Sequence, residues 1–383
     1  MHDAKWKSAL RPKLLKWFDE NQRDLPWRKN KTPYRIWVSE IMLQQTQVPT
    51  VVNYYKRFMK CFPTVKKLAS AEEADVLKLW EGLGYYRRAR QLHAAAKLVV
   101  QQHGGRFPTD FESVLALPGI GRYTAGAILS ISLDQQQPIL EGNTIRLFAR
   151  LMEMKSDPRS TSNQKALWEF SESILPRKRC GDFNQSLMEL GSEICRPKRP
   201  QCLICPIRGL CPTAVKGLQE SIPVATKKMK YQELNEAIVI VKRGNKFLVR
   251  QCGADERWAG LWDFPRYEIG FPDQSDLQNQ KSKGSAKSLA SARLNLVQGA
   301  GSIESSIAKT VNRETGLVVA LEKSSKQLKH AVTKYKIKLD CYVAATVTGR
   351  LKKNSNLRWM TIAQVREAPM SVTGRKIAKW IDP

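Results

Sequence analysis

The stretch "LPGIGRYTAGAI", Leu117 to Ile128, contains two glycines directly before an apolar helical pattern. Glycine permits tight turns and close backbone approach to a ligand, so Gly119 and Gly121 predict a hairpin between two helices. The free N–H groups and the positive dipole end of the second helix suit a phosphate. A helical hairpin whose glycines serve packing alone is the alternative.

The charge of the chain points to a polyanionic partner. Its 383 residues include 64 Lys and Arg against 35 Asp and Glu, a formal net charge of +29. Solubility alone could explain this charge, but basic residues also recur inside helical patterns such as "YYRRARQLHAAAK". We therefore expect nucleic acid as the partner. The chain has no apolar run of membrane-span length and no signal-peptide core, so we expect a cytosolic or nuclear protein without a membrane partner.

The pattern along the chain predicts two domains and an α+β fold class. Residues 1–212 show successive amphipathic helices, residues 213–231 form a polar linker, and residues 232–383 form a different domain, in which "YKIKLDCYVAATV" alternates like a strand. Within the second domain, "EAIVIVKRGNKFLVRQC" predicts a β-hairpin turning at Gly244 and Asn245. A segment rich in Gln, Ser and Lys near 273–293 predicts a mobile insertion.

Four of the eight cysteines lie close together, in "CRPKRPQCLICPIRGLC". Gaps of six, two and five residues allow short loops to bring four thiolates around one centre. Zinc and a [4Fe–4S] cluster both accept four cysteines, so the residue types alone leave the metal open, and unrelated buried thiols are a third interpretation. The four are Cys195, Cys202, Cys205 and Cys211.

Several motifs together resemble a known superfamily. The hairpin "LPGIG", the Gly-Asn step in "EGN" and the cysteine spacing are similar to those of the endonuclease III superfamily of DNA glycosylases. Within it, "WVSEIMLQQTQV", "GLGYYRRARQLH", "FNQSLMELGSEIC" and "WAGLWDFP" resemble MutY-type adenine glycosylases. The resemblance implies a helix-hairpin-helix glycosylase domain with a [4Fe–4S] loop, followed by a Nudix-like domain that recognises 8-oxoguanine.

The same resemblance implies a reaction. The enzyme would flip adenine out of a mispair with 8-oxoguanine or guanine in double-stranded DNA and hydrolyse its glycosidic bond. Bifunctional relatives carry a lysine nucleophile at the position of Tyr123, and tyrosine cannot form the imine. We therefore expect a monofunctional glycosylase in which Tyr123 donates a hydrogen bond near the catalytic carboxylate. One lesion duplex requires only a monomer.

Glycosidic cleavage needs an acid for the leaving base and a negative charge for the oxocarbenium-like sugar. Glu40 shares an apolar helix face with Ile36, Trp37 and Leu43, where desolvation favours the protonated carboxyl. The resemblance makes Glu40 the acid that protonates adenine N7. Spacing alone also allows a solvent-facing glutamate at this position.

One position departs from the family pattern. Relatives usually carry an aspartate before Gly-Asn, and this chain has Glu141, which is longer by one methylene. We expect the helix start to keep its carboxylate ionised. Either Glu141 still reaches the sugar C1′, with Asn143 and Tyr123 orienting it, or the protein is a noncatalytic lesion binder. A capping glutamate is the structural alternative.

The resemblance also assigns DNA contacts. Tyr85 resembles a wedge beside 8-oxoguanine, although packing with Tyr86 is the alternative, and Gln45 resembles the residue that fills the vacated space. The positions around the flipped adenine are matched by Trp27, Arg28, Leu43 and Gln185. The four clustered cysteines match the [4Fe–4S] ligands, and the basic residues between them, Arg196, Lys198 and Arg199, would meet DNA phosphates.

The second domain resembles a recognition module. Only "RETGL", Arg313 to Leu317, remains of the acidic box with which Nudix hydrolases hold metal, so we do not expect nucleotide hydrolysis. The Phe-Ser-His element that faces the lesion in relatives is matched by Val332, Thr333 and Lys334. Thr333 retains a hydroxyl that can hydrogen-bond to the base.

Three rival functions stay open. An endonuclease III-like enzyme for oxidised pyrimidines is disfavoured by Tyr123 and by the extra domain. A noncatalytic 8-oxoguanine:A binding protein is compatible with Glu141. A zinc-dependent regulator would need a base-reading helix, and the sequence shows none with a clear pattern.

Overall fold

The computed structural model describes residues 3–224, 231–270, 293–295, 302–353 and 356–382. The chain divides into two compact units, of which the first comprises Met1–Ala71 and Arg88–Lys227 and the second Glu72–Arg87 and Lys228–Pro383. The predicted insertion near 273–293 lies outside the described residues except for Arg293. No helix among the described residues is long and apolar enough to cross a membrane.

The N-terminal part of the chain is helical. Its helices are α1 Ala4–Asn21, α2 Pro26–Lys29, α3 Pro33–Leu43, α4 Val48–Cys61, α5 Val65–Ala69, α6 Glu73–Trp80, α7 Arg87–His103, α8 Phe111–Leu115, α9 Arg122–Leu133, α10 Gly142–Leu151, α11 Thr161–Ile174, α12 Cys180–Glu193 and α13 Pro212–Val215. Helix α6 belongs to the second unit.

Helix α9 is the central element of the first unit. Eight consecutive residues, Thr124 to Ile131, are buried in it, and it packs against α3, α8 and α12. A helix that is apolar nearly all round must be covered on most sides. A neighbouring core joins α1, α10, α11 and α12 through residues such as Leu14, Phe148 and Phe183. The residues before and after the glycine hairpin are therefore held on a rigid framework.

The second unit contains two β-sheets. The strands are β1 Gln232–Ile240, β2 Lys242–Arg243, β3 Lys246–Gln251, β4 Trp262–Asp263, β5 Arg266–Gly270, β6 Arg293–Asn295, β7 Leu317–Val332, β8 Tyr335–Gly349 and β9 Leu357–Thr361. One sheet has the order β6-β5-β1-β8-β7, and the other has the order β2-β3-β4 with β9 paired to β3. The helices of this part are α14 Ile303–Thr315, α15 Ile362–Glu367 and α16 Val372–Ile381.

Strand β1 is the centre of the larger sheet, where it pairs parallel to β8 and antiparallel to β5. Its side chains alternate between two cores: Ala237 and Val239 face the core that includes α14, and Ile238 and Ile240 face the core that includes α16. This alternation follows from the two-residue period of a strand. Layers of helix therefore cover both faces of the sheet.

The predicted hairpin is confirmed at its turn and wrong in its first arm. Gly244 and Asn245 form the turn between β2 and β3, but β2 spans only Lys242 and Arg243. The preceding residues form β1 and pair in the other sheet. Because β1 carries apolar residues on both faces, both faces need to be covered. A central strand of a larger sheet meets this requirement, and a two-stranded hairpin does not.

Candidate active site and metal centre

The glycine hairpin joins α8 to α9. Gly119 has a φ of +80°, and a Cβ added there would lie 2.9 Å from the Cβ of Gln91. Gly121 is the N-cap of α9 and offers no capping side chain, so the first N–H groups of the helix are left to other partners. The turn can therefore present N–H groups to an anion, as the sequence predicts.

The structure brings Glu40 and Tyr123 together, from α3 and α9. Glu40 is 4% exposed, and the Tyr123 hydroxyl donates a hydrogen bond of 2.7 Å to its Oε2. Burial raises the pKa of Glu40 to about 7, the charge of Glu141 adds to the rise, and the bond from Tyr123 opposes it. Burial also raises the pKa of Tyr123 well above its usual range, so its hydroxyl stays neutral. The pair presents a carboxyl that titrates near neutral pH.

Glu141 caps the start of α10. Its Oε2 accepts a hydrogen bond from the Asn143 N–H at 2.8 Å and its Oε1 accepts one from the Thr144 N–H at 2.9 Å. The Thr144 hydroxyl accepts the Glu141 N–H in return, which completes a capping box. Burial raises the pKa of Glu141, whereas these backbone bonds lower it. Desolvation is the larger effect and opposes the helix start, so the expectation that the Glu141 carboxylate stays ionised remains a prediction.

Asn143 is fixed beside this cap. Its Oδ1 accepts a hydrogen bond of 3.0 Å from Arg146 Nη2. A side chain on Gly191 would meet the Asn143 Cβ at 2.8 Å, so the glycine of α12 permits the close approach of α10. The side chain of Asn143 consequently has a defined direction.

A buried polar network lies beside the residues predicted to surround adenine. Arg28 Nε donates to Gln185 Oε1 at 3.1 Å, and Arg28 Nη2 donates to Glu189 Oε2 at 2.9 Å. Hydrogen bonds from Arg23 and Arg28 outweigh burial and hold the pKa of Glu189 at about 2. Gln185 Nε2 is buried and has no partner among the described residues. The network thus fixes the amide of Gln185 and leaves its N–H groups for a ligand.

The remaining predicted pocket residues occupy nearby elements. Trp27 is buried and packs edge-on against Tyr55, with ring centroids 5.4 Å apart. Leu43 is the last residue of α3 and is half-buried. Sequence reasoning missed Glu189, although its position four residues after Gln185 on α12 puts both on one helix face.

The two residues predicted to enter the duplex share a backbone feature. Gln45 has a φ of +57° and Tyr85 a φ of +49°, values that non-glycine residues seldom adopt. Gln45 is exposed, and Tyr85 is 50% exposed, whereas Tyr86 is buried. The two tyrosines are therefore not a buried aromatic pair.

The β7–β8 hairpin of the second unit ends in a two-residue turn. Val332 pairs with Tyr335, so Thr333 and Lys334 form the tip, and both are exposed. The Thr333 hydroxyl donates to the Val332 carbonyl at 2.8 Å, and its φ is +50°. The Lys334 Nζ lies 5.2 Å from the Tyr335 ring centroid.

The four clustered cysteines line one cavity of the first unit. Cys195 follows α12, and Cys202 begins the first of two short 3₁₀ turns, Cys202–Ile204 and Arg208–Leu210. Cys205 and Cys211 directly follow these two turns. The cavity is partly open to solvent, and apolar residues such as Leu147 and Ile207 complete its wall. Burial raises the pKa of Cys205 to about 12.

Arg150 connects this cavity to the rest of the unit. Its Nη1 donates to Cys195 Sγ at 3.1 Å and to the Arg196 carbonyl at 3.0 Å. Its Nε and Nη2 donate to the carbonyls of Ile222 and Gln219. The first part of the predicted linker is thus tied to the cysteine loop.

Two family models match the chain. Residues 38–173 match the HhH-GPD superfamily of base excision DNA repair proteins, and residues 236–380 match the NUDIX domain. Together with the buried carboxyl and the glycine hairpin, these matches define a class: a DNA glycosylase of base excision repair with a helix-hairpin-helix fold and a Nudix-like α/β domain.

Curated relatives narrow the class. The adenine DNA glycosylase of Buchnera aphidicola subsp. Acyrthosiphon pisum is 40% identical over 256 residues, which cover 67% of this chain and 73% of the relative. The Rattus norvegicus and Homo sapiens adenine DNA glycosylases are 46% and 44% identical, over 53% and 56% of this chain, and the matches cover 41% of each mammalian protein. The chain belongs to the adenine DNA glycosylase family, and its partner is DNA.

Among solved structures, a thermostable thymine-DNA glycosylase resembles the first part of the chain. The TM-score is 0.52 at 30% identity, and the match covers 55% of this chain and 98% of that protein. The shared framework therefore occurs in an enzyme whose name specifies a different base. The base removed depends on the pocket and not on the framework.

Proposed function

We propose that this glycosylase removes adenine from mispairs with 8-oxoguanine or guanine in double-stranded DNA, as a monofunctional enzyme that leaves an abasic site. The observation that carries the proposal is the buried Glu40 carboxyl, whose pKa of about 7 and 2.7 Å bond from Tyr123 suit an acid at neutral pH. The names of the curated relatives support adenine as the base.

Glu40 would act as the acid for the leaving base. Near neutral pH a substantial fraction of this carboxyl is protonated, so it can deliver a proton to adenine N7. The C1′–N9 bond then breaks with its electron pair moving into the adenine ring. Water adds to C1′ and loses a proton, and the products are free adenine and an abasic sugar.

Glu141 would stabilise the positive sugar, with Asn143 and Tyr123 orienting the site. Each Glu141 oxygen accepts one backbone N–H, and a carboxylate oxygen can accept a second contact. The capping box by itself would also suit the rival interpretation, a noncatalytic lesion binder. The Glu40–Tyr123 pair favours catalysis, because a binder has no use for a buried acid tuned to neutral pH.

Tyr123 supports the monofunctional outcome. It is neutral, it cannot form an imine with the sugar, and its hydroxyl proton is directed to Glu40. The endonuclease III-like alternative, an enzyme for oxidised pyrimidines, would more naturally carry a nucleophilic amine at this position.

The flipped adenine would lie among Trp27, Arg28, Leu43 and Gln185. Because Arg28 Nε donates to Gln185 Oε1, the Gln185 NH₂ group is the part left for a ligand, and it suits an acceptor nitrogen of a purine. Trp27 offers an apolar ring nearby. A polar group that matches one base edge discriminates strongly, since a mismatched base leaves it unpaired.

The DNA contacts follow from exposed features. The N–H groups after Gly119 and Gly121 would hold a phosphate, Gln45 would fill the space left by adenine, and exposed Tyr85 would wedge beside 8-oxoguanine. We assign catalysis to residues 1–212 and lesion recognition to residues 232–383, joined by the segment 213–231.

Lesion recognition would use the tip residues Thr333 and Lys334. The Thr333 proton is donated to the Val332 carbonyl, so its oxygen is available as an acceptor. 8-oxoguanine carries an N7–H donor, whereas guanine has an N7 acceptor, so an acceptor at the tip favours the lesion. Lys334 would contact the phosphate backbone.

The four cysteines would hold a [4Fe–4S] cluster. Cys195, Cys202, Cys205 and Cys211 line one cavity, which supports a shared centre. Four thiolates can ligate such a cluster, which would hold the loop of Arg196, Lys198 and Arg199 in place. Zinc, which also accepts four cysteines, is the alternative.

We propose a monomer that works where the genome lies, in the nucleoid of a bacterial cytoplasm or in a eukaryotic nucleus. The decisive experiment measures single-turnover excision on matched duplexes that carry 8-oxoguanine:A, G:A, thymine glycol or a G:T mispair. We expect adenine release from the first two, strand breakage only after alkali, and no borohydride-trapped adduct. Binding to 8-oxoguanine:A without excision would favour the lesion binder, and release of thymine or thymine glycol would overturn the substrate assignment.

A further inference from the structure

The guanidinium of Arg88 is buried at the end of the helix that carries Glu40. Arg88 is 8% exposed and lies in the first turn of α7. Its Nη1 donates to the carbonyls of Ile41 at 2.8 Å, of Met42 at 3.1 Å, and of Gln44. These carbonyls belong to the end of α3, where helix geometry leaves the last acceptors without intrahelical partners.

The same side chain also reaches the residues on both sides of Gln45. Arg88 donates to the Gln44 carbonyl through Nη1 and, through Nη2, to the Thr46 hydroxyl at 3.1 Å. Gln45, between these contacts, has its left-handed φ of +57° and an exposed side chain. A non-glycine residue keeps such a conformation only when its surroundings determine it.

We propose that Arg88 is a positioning residue for base extrusion, which holds the loop Gln44–Thr46 so that Gln45 is presented to the duplex. The inference rests on the proposed function, because it uses Gln45 as the residue that fills the space left by adenine. The planar fork of an arginine can serve several acceptors at once, and a lysine would offer only a point charge.

A purely structural Arg88 and a positioning Arg88 differ in which substrate they affect. An adenine opposite a stable abasic analogue is unpaired, so less work is needed to extrude it than from a pair with 8-oxoguanine. A positioning residue matters chiefly for the paired substrate. A residue that only stabilises the fold affects both substrates equally.

The test compares Arg88→Met, Arg88→Lys and the control Lys97→Met, an exposed cation on the same helix. We expect Arg88→Met to slow single-turnover excision opposite 8-oxoguanine by about 10- to 100-fold and opposite the abasic analogue by less than about threefold. Arg88→Lys should lie between Arg88→Met and the unmutated chain. Lys97→Met should match the unmutated chain on both duplexes.

A double-mutant cycle adds a second readout if Arg88→Met folds poorly. Gln45→Gly removes the side chain that Arg88 positions and accepts the left-handed φ without strain. Arg88→Lys should therefore add little to the loss caused by Gln45→Gly. Equal losses on both duplexes, or full additivity with Gln45→Gly, would overturn the role of Arg88. An unmutated chain that excises no adenine from either duplex would overturn the proposed function as well.

Discussion

The surroundings of Glu40 and the tip of the β7–β8 hairpin differ in how the protein holds its side chains. Glu40 is 4% exposed and receives a 2.7 Å bond from Tyr123, which lies on another helix. Thr333 and Lys334 are exposed, and their side chains contact the adjacent residues Val332 and Tyr335. The candidate chemical groups are thus positioned before any ligand binds, whereas the tip leaves its contacts for a ligand to complete.

This difference predicts large effects at the buried carboxyls. Glu40→Gln removes the transferable proton and Glu141→Gln removes the negative charge, so each should slow single-turnover adenine excision by about 10²- to 10⁴-fold. Duplex affinity should stay close to that of the unmutated chain. Glu172→Gln, at an exposed position of α11, is the control. Near-normal excision by Glu141→Gln would leave Glu141 as a helix cap only.

The network behind the pocket should produce the next largest effect, on stability. Glu189→Ala leaves Arg23 and Arg28 without their buried partner and should lower the free energy of unfolding by about 3–5 kcal/mol. Glu193→Ala is a matched control, because Glu193 also pairs with Arg23, at 2.8 Å, but its side chain is 40% exposed. An exposed pair contributes about 1 kcal/mol or less. Denaturant titration of both variants measures this difference. Equal losses of unfolding free energy in Glu189→Ala and Glu193→Ala would contradict the importance of burial here.

The hairpin tip should show the smallest effect, and it should be confined to selectivity. Thr333→Val removes one neutral hydrogen bond, so the preference for 8-oxoguanine:A over G:A should fall by about two- to tenfold. Thr333→Ser should restore it, and Thr348→Val, at an exposed site on β8, should not change it. An unchanged preference in Thr333→Val, measured as the ratio of single-turnover rates, would remove this residue from lesion recognition.

Local signals in the sequence predicted the parts of the fold that depend on near neighbours. The turn at Gly244 and Asn245 follows from turn-forming residue types, and Gly244 has a left-handed φ of +59°. The predicted strand "YKIKLDCYVAATV" lies within β8. The exact start of α8 is a weaker signal: Thr109 and Asp110 are both capping residue types, and in the structure Asp110 caps the helix by accepting the Ser113 N–H at 2.8 Å. Two adjacent capping residues leave the sequence ambiguous by one position.

Contacts between residues far apart in the chain could not be predicted from the sequence. The partners of Arg88 lie more than forty residues away, and Glu189 meets Arg23 across 166 residues, so neither spacing nor charge identifies them. The upward shift of the Glu141 pKa also depends on tertiary burial, which outweighs the lowering effect of the backbone hydrogen bonds at the helix start. The motifs identified Glu40 and Tyr123 as candidate site residues. Their 2.7 Å hydrogen bond depends on the packing of α3 against α9, which the motifs do not encode.

The pH dependence of single-turnover excision tests the role of Glu40 most directly. Burial raises its pKa from 4.5 to about 7, and the protonated form is the acid. The rate should therefore begin to decline near pH 7 and then fall about tenfold for each further pH unit. At low pH the rate should fall again as Glu141 becomes protonated, and the two coupled carboxyls should give a bell-shaped profile. The alkaline limb should be missing from the residual activity of Glu40→Gln. A rate for the unmutated chain that stays constant from pH 7 to about pH 9 would contradict the account.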